Sequence, residues 1–178
     1  MGVERGNSLE RQRDAELYDP MGEPWEAIRD TIIRIESEQF GDGAFDEETL
    51  KNYFTDSNST TVFLREEGTR HIIGFTNAVP TNGLYDDEFH PERAFDPHTA
   101  YIMDTAIDRA YTGRHLVGKL MTVLEEELRR KGYTHIERDA ATANRYAANI
   151  EKIYGERILF SKPHDSEWGP QVFFRIKL

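Results

Sequence analysis

The spacing of apolar residues changes along the chain, and each change marks an element. Trp25, Ile28, Ile32 and Ile35 recur at helical spacing, with Pro24 suited to a first turn and Gly41 and Gly43 ending the run. A shorter helix is predicted next, capped by Asp46 with Thr49 three residues on, and with Leu50, Tyr53 and Phe54 on its apolar side. The pattern then turns to β. TTVFL at 60–64, a turn over 66–69 and HIIGFTNAV at 71–79 read as a hairpin, and TAYIMDTAI at 99–107 reads as a third strand. Between them, residues 80–99 form a long irregular connection carrying Asp86, Asp87, Glu88, Glu92 and Asp96.

The clearest periodicity runs over about 113–131, where Leu116, Leu120, Leu124 and Leu128 repeat every four residues with Val117 and Met121 beside them. Glu125 with Arg129, Glu126 with Arg130 and Glu127 with Lys131 predict an ion-pair ladder on the outer face, and Gly132 a left-handed cap. A strand over 135–140, a helix over about 143–154 and strands over 157–160 and 172–178 complete the chain. This order predicts a mixed sheet with helices on both sides. Residues 1–23 are polar and are expected to form a flexible arm ahead of one domain over 24–178.

Composition narrows the function. The chain has 178 residues, and 22 Lys+Arg against 33 Asp+Glu give a formal charge of −11. Such a surface repels polyanions, so nucleic acid is not an expected partner, whereas cationic small molecules or basic peptides are favoured. The chain has no cysteine, which excludes disulfides, thiolate metal sites and cysteine nucleophiles. No apolar run is long enough to cross a bilayer, and the N-terminal stretch lacks the build of a signal peptide, so a cytoplasmic protein is expected. His90 and His98 flank Asp96, but their spacing matches no ligand motif, and no metal is expected.

Against that acidity, Arg109, Arg114, His115 and Lys119 cluster around the turn that feeds the long helix. A strand entering a helix through a glycine-containing turn leaves the first backbone N–H groups unpaired. With the positive end of the helix dipole they make an anion site. YIMDTAIDRAYTGRHLVGKLM at 101–121 resembles the strand, pyrophosphate loop and helix of the GCN5-related N-acetyltransferase (GNAT) family. IIGF at 72–75 is similar to another strand of that family, and Asn144 with Ala147 to the start of its later helix. The resemblance covers about residues 25–178.

The resemblance implies an α/β fold: a mostly antiparallel sheet with one parallel, splayed pair and helices on both faces. It implies acetyl-CoA as cofactor, held by Ile107, Arg109, Thr112, Gly113, Arg114, His115, Leu116, Val117, Gly118, Lys119 and Asn144. The family's loop normally has Arg or Gln and two glycines where this chain has Thr112, His115 and Val117, its own glycines standing at Gly113 and Gly118. The activity implied is transfer of an acyl group, acetyl above others, to an amine of a small molecule or peptide, with a homodimer left open. Such transfer needs a base for the ammonium and an acid for the departing thiolate. Tyr101 is the first candidate base, with Asp104, Glu137 and Asp139 as rivals. Strand alternation puts Glu137 and Asp139 on one face. The family's acid is a tyrosine in the later helix, which points to Tyr154, or else Tyr146. The acidic residues of 80–99 are expected to form a lip for a cationic acceptor. The altered loop keeps a second reading open, a ligand-binding or interaction module of the same fold without catalysis.

Overall fold

A computed structural model describes residues 14–66, 68–81, 96–143 and 145–178. Seven strands form one sheet: β1 (Asp14–Leu17), β2 (Thr60–Arg65), β3 (Ile72–Pro80), β4 (Thr99–Ile107), β5 (His135–Ala141), β6 (Ile158–Ser166) and β7 (Gly169–Lys177), in the spatial order β1-β2-β3-β4-β5-β7-β6. All neighbours are antiparallel except β4 and β5. The helices are α1 (Trp25–Phe40), α2 (Glu47–Thr55), α3 (Val117–Arg130) and α4 (Tyr146–Tyr154). Trp25, Ile28, Ile32 and Ile35 of α1 and Leu50 and Phe54 of α2 pack on Phe63, Phe75 and Ala106, one face of the sheet. Leu120, Leu124 and Leu128 of α3 and Ile150 of α4 pack on Val62, Ile73, Ile102, Ile136 and Phe174, the other face. The mixed sheet with helices on both sides is therefore as its element order predicts.

Four differences from the sequence reading have local physical causes. Residues 14–17, expected within a flexible arm, are strand β1. Arg65, only 8% exposed, ties them down by bonding Glu16, Glu23 and the Arg70 carbonyl. Helix α3 starts at Val117 rather than near 113, because Gly113 (φ 75°) and His115 (φ 56°) are left-handed. Helix α4 likewise starts at Tyr146, behind left-handed Arg145. The last hairpin is longer than predicted. The strand expected over 157–160 runs on through Pro163 to Ser166, because β6 is a sheet edge, where proline is tolerated.

The α3 ladder is also rearranged. Glu125 meets Arg129 at 2.9 Å as expected, but also Arg157 at 2.7 Å, while Glu127 takes Arg130 and Lys131 reaches the Ser59 carbonyl and the Thr60 hydroxyl. Both glutamates are buried. Asp46 caps α2 through the Thr49 N–H at 2.8 Å, and Gly132 (φ 90°) terminates α3, both in line with the spacing.

Gly74 of β3 lies against β4, where a Cβ would come within 2.6 Å of Ile107 Cδ1 and 2.9 Å of the Ala106 carbonyl. The backbone oxygen cannot move aside without disturbing the ladder. Gly74→Ala is therefore expected to destabilise the chain by about 1–3 kcal/mol, the scale of overpacking in a core. Denaturant unfolding measures it, and an unchanged midpoint would show that β3 and β4 approach less closely.

Candidate active site

The strand pair β4–β5 makes the site. It is parallel for only three residue pairs, Thr99 with His135, Ala100 with Ile136 and Tyr101 with Glu137, after which the strands part. Beyond the last pair, β4 runs on to Ile107 and β5 to Ala141, so a fork opens in the middle of the sheet. A bulge at Met103, where Asn77 faces Asp104 and Ala78 faces Ile102, bends β4 at that point. Each face of the fork carries a distinct group of side chains.

On the α1–α2 face, the Tyr101 hydroxyl donates to Asp139 Oδ2 at 2.6 Å, and His164 Nε2 lies 2.7 Å from Asp139 Oδ1. With Asp139 as a carboxylate, His164 Nε2 is the donor. Tyr101 packs with Val79, Phe173, Met103 and Tyr53, so this chain of three polar groups has an apolar floor. Alternation does bring Glu137 to the same face, but Glu137 is 1% exposed and Arg175 holds it at 3.4 Å. Arg175 also binds Asp96 at 2.6 Å. Burial pushes the Asp96 carboxyl up, but hydrogen bonds from the His98 N–H and the Thr99 hydroxyl, with the Arg175 charge, hold it below its ordinary value. Asp104 is enclosed between β4 and α1, its carboxyl pushed far above its ordinary value by burial and then by Glu36. Of the rival carboxylates, Asp139 is thus the one joined to Tyr101.

On the α3–α4 face, Arg138 donates to Thr105 Oγ1 at 3.3 Å and to the Tyr146 hydroxyl, and its guanidinium lies 4.0 Å from Met121 Sδ. Tyr146 and Met121 also line a cavity of about 290 Å³ between α3 and α4, which runs from Val117 and Gly118 past Ile150 to Tyr154, Glu125 and Arg157. Tyr154 stands two turns along α4, about 12 Å of helical rise from Tyr146. It is 3% exposed beside Arg157 and within the core cluster, and burial, then Glu125, push its phenol up. Tyr154 lines the same cavity as Tyr146, and the Arg138 hydrogen bond goes to Tyr146.

At the far end of β4, Asp108 caps a short turn over Arg109–Tyr111 through the Ala110 N–H, and Arg34 of α1 pins Asp108 at 2.7 Å. Thr112 closes that turn by donating to the Arg109 carbonyl. Residues 113–118 follow, and none of their backbone N–H groups donates to another described residue. Left-handed Gly113 and His115 within this stretch curve it into an anion-binding concavity. A Cβ added at Gly113 or Gly118 would meet nothing within 4 Å. His115 is exposed, Leu116 is buried beneath the loop, and Val117 packs partly against the core, so the side chains of this unusual loop leave the amides open. Arg109, Arg114 and Lys119 are exposed around it, and Arg114 rests on the Ala110 carbonyl and the Tyr111 ring. Open amides and surrounding cations suit a diphosphate, so these residues fit a coenzyme A. Asn144, Asp86, Asp87, Glu88, His90 and Glu92 lie outside the described residues. His98 Nδ1 lies 3.2 Å from the Gly132 carbonyl, across the start of the sheet.

Two residues of the fork escaped the sequence reading. His164 fell beyond the strand expected over 157–160, and the pairing of His164 with Gln171 across the hairpin brings it to Asp139. Arg138 stood between two acidic candidates, and the same alternation that joined them put it on the opposite face.

A forked mixed sheet with an anion-binding helix start at one end of β4 defines an acyltransferase-type fold. The sequence matches the model of the Acetyltransferase (GNAT) family over residues 25–152, and the chain belongs to that family. The family's cofactor is acetyl-CoA. No curated protein matches the sequence. The fold is similar to that of the yncA protein of Salmonella typhimurium, solved with its cofactor acetyl-CoA, at 16% identity, a TM-score of 0.67 and coverage of 94% of each chain. It is also similar to the ribosomal-protein-S18-alanine N-acetyltransferase of Escherichia coli, at 12% identity, a TM-score of 0.65 and coverage of 93% of this chain and 94% of that one. Arabidopsis thaliana NAA60, solved with a bisubstrate analogue, is alike at 11% identity, a TM-score of 0.66 and coverage of 92% and 99%. Among the described residues no helix is long and apolar enough to cross a membrane.

Proposed function

We propose that this protein is an acyl-CoA-dependent N-acyltransferase acting on an amine of a small molecule or peptide. The observation that carries this reading is the fork itself. Its two faces hold a proton-accepting chain, Tyr101–Asp139–His164, and a cavity that leads to the open amides of residues 113–118. When bound, acetyl-CoA supplies an acyl carbon activated as a thioester. The amides of 113–118 would hold its diphosphate and Arg109, Arg114 and Lys119 would neutralise it, with Gly118, where a Cβ would meet nothing, leaving the approach open.

An acceptor amine enters as ammonium and must lose a proton before it can attack. Asp139 takes that proton, directly or by receiving the Tyr101 hydroxyl proton at Oδ2 while Tyr101 takes the ammonium's. His164 at Oδ1 fixes the orientation of the carboxylate. On the other face, the Tyr146 hydroxyl carries the proton needed by the departing sulfur, and Arg138 donates onto that oxygen, favouring the charge left behind. The formal charge of −11 favours a cationic acceptor and steers its approach, a rate effect that salt screens.

Arg114→Glu tests the donor half. It replaces a cation beside the open amides with an anion, so coenzyme A affinity should fall about tenfold or more, the scale of one charge-assisted hydrogen bond. Calorimetric titration of coenzyme A into parent and variant reads the change directly. Equal affinities would move the diphosphate away from residues 113–118.

A further inference from the structure

Arg138 is 3% exposed, and it forms no ion pair with an acidic side chain among the described residues. Its guanidinium meets two hydroxyls and a thioether, and its Nε–H has no acceptor among the described residues. An isolated buried cation is costly, and buried charges are normally paired. Asp104 is the acid whose carboxyl feels the Arg138 charge, but it lies on the other face of the sheet, and burial pushes its carboxyl well above its ordinary value. The cation is also well placed for a ligand. It touches Tyr146 and Met121, two residues that line the cavity between α3 and α4, at the point where β4 and β5 have parted.

A guanidinium held in this way, with a donor to spare, presents the fork geometry that carboxylates match. Alternation along β5 decides which substrate could bring the carboxylate. Arg138 lies on the α3–α4 face, against Tyr146 and Met121 of the cavity wall, and Asp139 faces the opposite side, where the acceptor's proton is taken. We propose that Arg138 is a specificity-determining residue that binds the terminal carboxylate of the donor's acyl chain, so that the preferred donor is a dicarboxylic acyl thioester of coenzyme A rather than a simple alkanoyl one. This rests on the coenzyme A reading of the preceding section and names the acyl class it left open. Thr105 and Tyr146 hold the guanidinium in position while its Nε–H edge takes the ligand.

The test is binding, measured without acceptor. Coenzyme A, butyryl-CoA and succinyl-CoA are titrated calorimetrically into the parent protein, the last two being of similar length and differing in the terminal carboxylate. Succinyl-CoA is expected to bind at least tenfold more tightly than butyryl-CoA. In Arg138→Leu that preference should vanish while coenzyme A binds as in the parent. Arg138→Lys, which keeps the charge but not the fork, should retain part of it. Equal binding of the two thioesters by the parent overturns the proposal whether or not the variants fold. So does a preference that survives in Arg138→Leu. Coenzyme A that binds while the preference is absent leaves the donor reading standing and removes this one, whereas failure of all three to bind removes both.

Discussion

Asp139→Asn is expected to lower turnover by about 10²–10⁴-fold, the range of general acid–base catalysis, with coenzyme A affinity unchanged. Asparagine keeps the size of the side chain and an oxygen for the Tyr101 hydroxyl to donate to, so the apolar floor around Val79 and Phe173 is preserved. What it cannot do is take a proton. The loss should therefore appear in turnover at saturating acceptor, measured with the best amine from a panel. Tyr101→Phe should cost less, since Asp139 would still accept the proton directly. A turnover within threefold of the parent in Asp139→Asn would show that the carboxylate only organises the end of β6 through His164.

The second large effect concerns stability. Glu36 on α1 is 1% exposed, its Oε1 accepting from the Phe45 N–H at 3.2 Å and its Oε2 lacking a partner among the described residues. Burial pushes its carboxyl up from 4.5 to about 7. A carboxyl raised in this way binds its proton more tightly in the folded chain than in the unfolded one. Its contribution to stability is whole below pH 4.5 and is lost as pH rises through about 7. Glu36→Gln keeps an acceptor for the Phe45 N–H and removes the ionisation. At pH 8 the variant should be more stable than the parent by about 2–3 kcal/mol, and the gap should close below pH 5. Denaturant titrations at pH 5 and pH 8 check the sign. A gap of the same size at both values would mean that Glu36 is ionised throughout.

The fold was legible because its signals are redundant. The four leucines of α3, the Asp46 cap and the β-rich runs at 60–64 and 99–107 each name their element without help from tertiary structure. The candidate anion-binding loop was legible for the same reason, as a local cluster of cations at one helix start. What escaped depends on contacts distant in sequence. Strand β1 is ordered by Arg65, nearly fifty residues on, as the pairing of Arg65 with Glu16 requires. His164 joins Asp139 only through the β6–β7 register, across a proline that an edge strand tolerates. The start of α4 was hidden too, because a non-glycine left-handed residue, Arg145, sets that point. Nothing in residue type distinguished Arg138 from the surface arginines of α3; its burial appears only when the two strands part.

The central claim, amine-dependent acyl transfer from coenzyme A, is tested most directly by following thiol release from acetyl-CoA and succinyl-CoA while a panel of primary amines is presented to the parent protein, with the mass of each amine read alongside. The account predicts that at least one cationic amine triggers thiol release and gains the acyl mass in equal amount, and that this coupled signal collapses in Asp139→Asn. Thiol release that is independent of any amine, or an Asp139→Asn protein as active as its parent, would contradict it.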